Sequence, residues 1–204
     1  MTVLAPRDAE SEPARRPGRP RSVEADRAIL LAAADAFADV GFDALTLEAV
    51  AARAGVGKAS IYRRYGCKID LVVAVAEGFI EMQLPPPDTG STHGDLVASV
   101  ERLVTMLTTT PLGRALPMLV ASRLRVPDLD RALDAIIAAK RACNLVVVER
   151  GIARGDIRAD ADPERVVDTY LGPLFHRLLT TNKPLDAAFV RDVVAVTLRA
   201  YGTA

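Results

Sequence analysis

One period runs through almost the whole chain. Ile29, Ala33, Ala36, Phe37 and Val40 recur at steps of three and four residues, one stripe of an amphipathic helix. Similar spacing returns in later segments, and no useful length alternates apolar and polar residues as a half-buried strand must. The best strand candidate, LVVVE at Leu145–Glu149, lies inside a longer helical pattern. Half of the 204 residues are hydrophobic, chiefly Ala, Leu and Val, and aromatic content is only 4%. Such a chain can bury a sizeable core of close-packed helices, and the expected fold class is all-α.

Punctuation residues divide the pattern. Residues 1–21 are rich in Pro, Ala, Glu and Arg, without periodicity, and are expected to be disordered. They contain the basic run RRPGRPR, Arg15–Arg21. A helix is expected from an N-cap at Ser22, with Glu24 in its dipole-favoured first turn and Gly41 as its stop. Thr46 can cap a second helix, LEAVAARA, with Leu47, Val50 and Ala51 on one face and Gly55 after it. A short helical pattern, VGKASIYRRYG, puts Ile61 and Tyr65 inward and sends Tyr62, Arg63 and Arg64 elsewhere. A fourth helix starts near Lys68, and Pro85–Thr92 breaks the chain. Helices are then expected over 95–110, over 111–124 with Pro117 inside, and from Pro127 to Arg154 with Gly155 as stop. A further one is capped by Asp162 with Pro163 in its first turn, and the last spans 186–201. The punctuation divides the chain into a basic arm over 1–21 and two helical regions, 22–67 and 68–204.

Charge is balanced overall, 26 Lys+Arg against 26 Asp+Glu, so clustering carries the information. The stretch AGVGKASIYRRYGCK, Ala54–Lys68, holds Lys58, Arg63, Arg64 and Lys68 and no acid. It is not a phosphate-binding loop: Ala52 stands where the first Gly is needed, and Ala59 where Ser or Thr must follow the lysine. Gly55-Val56-Gly57 lacks the third Gly of a dinucleotide fingerprint. Two histidines, His93 in a Gly/Ser/Thr loop and His176 beside Phe175, offer little for acid–base or metal chemistry. Cys67 and Cys143 have no metal-ligand spacing and suit a reducing compartment. No enzyme activity, metal or cofactor is expected. No secretory signal is expected in the first residues, and no apolar run nears the roughly 18 residues of a membrane helix. A cytoplasmic protein without membrane partners is the expectation.

Two helices joined by a short Gly-containing turn match a helix-turn-helix, whose second helix enters the major groove of double-stranded DNA. On charge alone, an ordinary solvated helix face explains Lys58, Ser60, Tyr62, Arg63 and Arg64 as well. The segment TLEAVAARAGVGKASIYRRYGCKIDLVVAV, however, closely resembles the DNA-binding domain of the tetracycline-repressor (TetR) family of bacterial regulators. Thr46, Ala51, Ala54, Gly55, Val56, Lys58, Ile61, Tyr62, Lys68 and Leu71 stand in register with the family pattern. Gly57 replaces the usual Ser cap, Ser60 a Thr, Arg64 a His, and Cys67 a Ser or Asn that caps the fourth helix. The resemblance implies a DNA face made of Thr46, Lys58, Ala59, Ser60 and Tyr62. Arg63 and Arg64 would sit near bases or phosphates, and Lys68 would reach a phosphate. The arm, with Arg19 and Arg21, could lie in the minor groove.

The resemblance also implies a C-terminal effector domain. Interior candidates there are aliphatic: Leu103, Leu107, Leu116, Leu119, Val120, Ile136 and Ile137. Met106, Arg123, Asn144, Tyr170, Phe175 and His176 are candidates to orient a small, mostly apolar effector. The last two helices are apolar over wide faces and need burial on more than one side. The resemblance implies that they pair in a homodimer through Leu171, Leu174, Leu178, Val190, Val193 and Val194, on a palindromic operator. A repressor is the first reading. An activator of the same fold, or a ligand-binding protein that does not use its helix-turn-helix, are the alternatives.

Overall fold

The computed structural model describes residues 23–81 and 85–203. The expected Ser22 cap and the arm residues Arg19 and Arg21 lie outside these. Nine α-helices make up the described residues: α1 Val23–Ala44, α2 Leu47–Arg53, α3 Lys58–Arg64, α4 Lys68–Glu81, α5 Thr92–Thr109, α6 Pro111–Arg123, α7 Pro127–Arg154, α8 Pro163–His176 and α9 Ala187–Tyr201. α8 continues into a π-helical turn, Arg177–Thr181. No strand is present among them, although an isolated bridge, Ile157 with Gly202, ties the end of α9 to the turn after α7. No single described helix is long and apolar enough to cross a membrane.

Local chemistry sets the boundaries. Thr46 Oγ1 accepts from Ala49 N at 3.2 Å, and Asp186 Oδ1 from Phe189 N at 2.9 Å, each satisfying an orphan donor of a first turn. Asp162 Oδ1 accepts from Glu164 N, and Pro163 occupies the first turn, where its missing N–H costs nothing. Gly155 closes α7 at φ 80°. α5 begins at Thr92, ahead of the expected 95, because Ser91 Oγ caps it by accepting from Gly94 N at 3.1 Å. Gly41 is less of a stop than expected. It sits at φ 72°, ψ −177°, in a region essentially reserved for glycine, and helical pairing resumes as far as Ala44. A Cβ at Gly41 would lie 2.8 Å from Met118 Cε, so the kink doubles as a notch for a side chain of α6.

Two cores hold the helices. The first joins Ile29, Ala33 and Phe37 of α1, Val50 of α2, Ile61 of α3 and Leu71 and Val75 of α4 to Leu112, Ala115 and Leu119 of α6 and Leu129 and Ile136 of α7. The second gathers Leu96 and Val100 of α5, Val147 and Val148 of α7, Val166, Tyr170 and Leu174 of α8 and Val190, Val193 and Val194 of α9. α7, with 28 residues or about 42 Å of axis, runs through both as a spine. The second core corrects a sequence expectation. Leu174, Val190, Val193 and Val194 are buried within their own chain rather than facing outward for a partner. An apolar stripe states that a face is covered, but not by what. Here α5 and α7 cover it.

A buried ionic cluster pins the start of α5 to the end of α7. The Asp95 carboxylate is inaccessible to solvent and accepts from Thr89 N at 2.6 Å, Thr89 Oγ1 at 2.8 Å and Arg154 Nη2 at 2.7 Å. Asp156 accepts from the backbone N–H and hydroxyl of Thr92. Burial alone raises the pKa of Asp95, but the hydrogen bonds from Thr89 and Arg154 outweigh it and hold the group below the ordinary carboxylate value. The folded state therefore binds fewer protons than the unfolded one near pH 4, and this stability is lost as pH falls through the folded pKa. Asp95→Asn is expected to cost about 3 kcal/mol at pH 7 and to flatten the acid limb of stability against pH, read by urea unfolding between pH 7 and 3.

Candidate nucleic-acid interface and cavity

α3 is seven residues long, too short to persist in water without tertiary support. Ile61 supplies that support from inside the first core, and Val56 and Tyr65 pack at its edge. Gly57 is the N-cap by backbone geometry alone, with no side-chain hydrogen bond. With Ile61 inward, Lys58, Ala59, Tyr62 and Arg63 are exposed, and Thr46 is exposed at the start of α2. These five form an accessible face with two cations and two hydroxyls. Ser60 is half-buried.

Two of the expected contacts are placed differently. The Arg64 side chain is only 9% exposed; its guanidinium pairs with Asp26 of α1 and donates to Ser60 Oγ and Ser60 O. It points into the fold rather than outward, because Asp26, 38 residues earlier, offers a fixed counter-charge. Lys68 Nζ donates to the carbonyls of Phe42 at 2.9 Å and Asp43 at 3.2 Å and lies 4.5 Å from the Phe42 ring centroid. Its ammonium caps the end of α1 instead of standing clear for a phosphate. Cys67, a poor cap by side chain, is compensated by Asp70, whose Oδ2 accepts from Cys67 N at 3.1 Å. Tyr62 donates to Glu48 Oε1 at 2.6 Å, raising the tyrosine pKa and lowering that of the glutamate. Glu48 has no sequence signal beyond a dipole-favoured acid in a first turn.

Two neighbouring cavities, of about 550 and 450 Å³, share Leu103, Met106, Lys140, Asn144, Leu171 and Phe175. Leu116, Leu119, Val120, Ile136, Ile137 and Arg123 line the smaller one, and Ala76 brings α4 to its wall. Of the six candidate orienting residues, Met106, Arg123, Asn144 and Phe175 stand at a cavity wall. Tyr170 does not: it is fully buried, donates to Asn144 Oδ1 at 2.9 Å, and its hydroxyl is pushed far up in pKa by burial. His176 is exposed and lines neither cavity. Leu107 is core. Lys140 lines both cavities, and its sequence signal is weak: it continues the Leu133, Ile136, Ile137 stripe of α7. Among the described residues no group of three or more His, Cys, Asp or Glu side chains is placed to hold a metal ion.

Two family models match the chain. Bacterial regulatory proteins of the tetR family match over residues 29–75, and the tetracyclin repressor-like C-terminal domain over residues 86–197, more than half of the chain. The chain belongs to the TetR family. The HTH-type transcriptional regulator YdeS of Bacillus subtilis is 33% identical to it over 87% of this chain and 89% of the relative. The DNA-binding transcriptional repressor TetR of Mycobacteroides abscessus is 30% identical over 84% and 93%. Among solved structures, the TetR family transcription regulator SCO0332 superposes with a TM-score of 0.66 at 32% identity, covering 86% of this chain and 97% of that one. The tetr regulator tylp of Streptomyces fradiae, with TM-score 0.72, 19% identity and 90% and 89% coverage, shares the fold. This TetR-family chain is thus a helix-turn-helix transcriptional regulator.

Arg64 separates a folding role from a binding one. Arg64→Met is expected to lower stability by about 1–2 kcal/mol and to leave the salt dependence of DNA binding unchanged. A flatter salt slope at unchanged melting temperature would return Arg64 to the DNA face.

Proposed function

We propose that this regulator is a repressor that binds a palindromic operator as a homodimer and is released by a small, mostly apolar effector. Its reading head lies within residues 22–67, and effector binding and dimerisation belong to residues 68–204. The observation that carries the DNA reading is the one-sided burial of α3: Ile61 anchors it, and Lys58, Ala59, Tyr62 and Arg63 are left in solvent. Lysine and arginine neutralise phosphates, and the hydroxyls of Thr46, Ser60 and Tyr62 can donate to phosphate oxygens or base edges. Arg64 and Lys68 act one step back, holding α3 and α4 against α1. The repressor reading follows the named function of the Mycobacteroides relative.

The effector reading rests on the cavity walls. α4 carries Lys68, which grips the end of α1, and Ala76, which borders the smaller cavity. A ligand that favours one placement of α4 also selects a placement of α3. For the dimer, the available face is the outward side of the last helices, where Leu178 is half-buried and Leu179 and Val196 are exposed.

Operator fragments selected from genomic DNA by the purified protein provide the test. Lys58→Ala and Arg63→Ala are each expected to weaken binding and to reduce the log–log salt slope by about one unit. If the triple Lys58, Tyr62 and Arg63 to Ala variant still shifts the operator in a gel, the DNA face is wrongly placed. Val196→Glu is expected to yield monomers in light scattering and to lose cooperative binding to both half-sites.

A further inference from the structure

We infer that Tyr62 and Glu48 form an acceptor pair that reads the exocyclic amino group of a base, adenine N6 or cytosine N4, in the major groove. Tyr62 is the reading group, and Glu48 is the residue that positions it. This rests on the placement of α3 as the DNA-reading helix and adds which base edges that helix prefers.

The three hydroxyls of that face differ in what they have left to offer. Thr46 Oγ1 accepts from Ala49 N at 3.2 Å, and Ser60 Oγ accepts from the Arg64 guanidinium. Each keeps its own hydrogen to give, to a phosphate or to a keto oxygen. Tyr62 is the reverse. It gives its single hydrogen to Glu48 Oε1 at 2.6 Å, and its oxygen retains only lone pairs. The residue is 47% exposed, so a partner can reach it. Phosphate oxygens, guanine O6 and N7 and thymine O4 are acceptors, and none of them can bond a hydroxyl whose hydrogen is already given. The donors that the major groove presents are adenine N6 and cytosine N4.

Glu48 keeps the hydroxyl in this state. It is half-buried in the first turn of α2, where the helix dipole favours an anion. The hydrogen bond from Tyr62 holds its carboxylate below the ordinary pKa, and Lys58 adds a smaller pull in the same direction. A charge-assisted bond of this kind is stronger than one between neutral groups, so the hydroxyl does not swing freely. The carboxylate also repels a phosphate or keto oxygen that approaches the pair. Lys58, one turn before Tyr62, and Arg63, the next residue, are exposed cations and serve the phosphates on either side. The pair between them is left for a base.

The test selects duplexes from a randomised pool with the full-length protein at fixed salt and compares base preferences. The unaltered chain is expected to favour adenine or cytosine over guanine or thymine by about tenfold at one position of the selected site and its symmetry mate. Tyr62→Phe and Glu48→Ala, the second of which frees the hydroxyl hydrogen, are each expected to shrink that preference to within about threefold. Glu48→Gln, whose amide oxygen can still take the hydrogen, is expected to keep it. Deleting the amine from the DNA, with unsubstituted purine for adenine or a pyrimidinone for cytosine, is expected to cost the unaltered chain about tenfold and the Tyr62→Phe variant less than about threefold. Equal melting temperatures keep folding out of the comparison. A preference that survives Tyr62→Phe or Glu48→Ala, or that Glu48→Gln loses as fully as Glu48→Ala, overturns the assignment and leaves the DNA face standing. So does a Tyr62→Phe variant that binds every duplex more weakly by one factor, the mark of a phosphate contact. If the unaltered protein selects no sequence, the DNA face and this inference fall together.

Discussion

The apolar stripe of α1, packed against α4 and α6, is the contact on which the helix-turn-helix depends. α2 and α3 have seven residues each and cannot hold themselves in water. They persist because Val50 and Ile61 insert into a core whose other walls are Ile29, Phe37, Leu71 and Leu119. A buried side chain of this size contributes about 2–3 kcal/mol, so the orientation of α3 is set by few groups and is sensitive to each. The polar ties to α1, Arg64 to Asp26, Arg53 to Asp39 and Lys68 to the α1 carbonyls, then fix what the core leaves free to rotate.

The same core couples the two ends of the molecule. It contains Leu112, Ala115 and Leu119 of α6, and α6 also contributes Leu116, Leu119 and Val120 to the smaller cavity. Leu119 belongs to both. Met118, its neighbour on α6, sits against the Gly41 notch of α1. A displacement of α6 by something in the cavity is therefore felt at α1 through packed atoms, since close-packed interiors transmit strain rather than absorb it.

Secondary structure was legible in the sequence because its signals are local. Thr46, Asp162, Pro163 and Gly155 each state a boundary within a turn of themselves, and apolar spacing identified the inward residues of α1 to α3 except Val40, which the Gly41 kink leaves exposed at the end of the stripe. The family was legible for the same reason, as a run of contiguous residues in register. What was not legible is pairing over distance. Arg64 reads as an outward cation until Asp26 is brought beside it, and Lys68 as a phosphate ligand until the carbonyls of Phe42 and Asp43 arrive. The stripes of α8 and α9 gave burial correctly, but at Leu174, Val190, Val193 and Val194 the cover comes from α5 and α7 of the same chain. Lys140 gives no local signal, because a single lysine on a long helix reads as solvated until a cavity stands beside it.

The placement of Arg64 divides α3 into positions owned by the fold and positions that are not. Ile61, Arg64 and Tyr65 hold the helix to its scaffold; positions 58, 59, 62 and 63 touch little but solvent and Glu48. Exchanges confined to those four positions carry surface-level stability effects, within about 0.5 kcal/mol. A lineage, or a designer, can therefore change the exposed face of this helix without renegotiating the fold, provided that position 64 keeps a cation for Asp26.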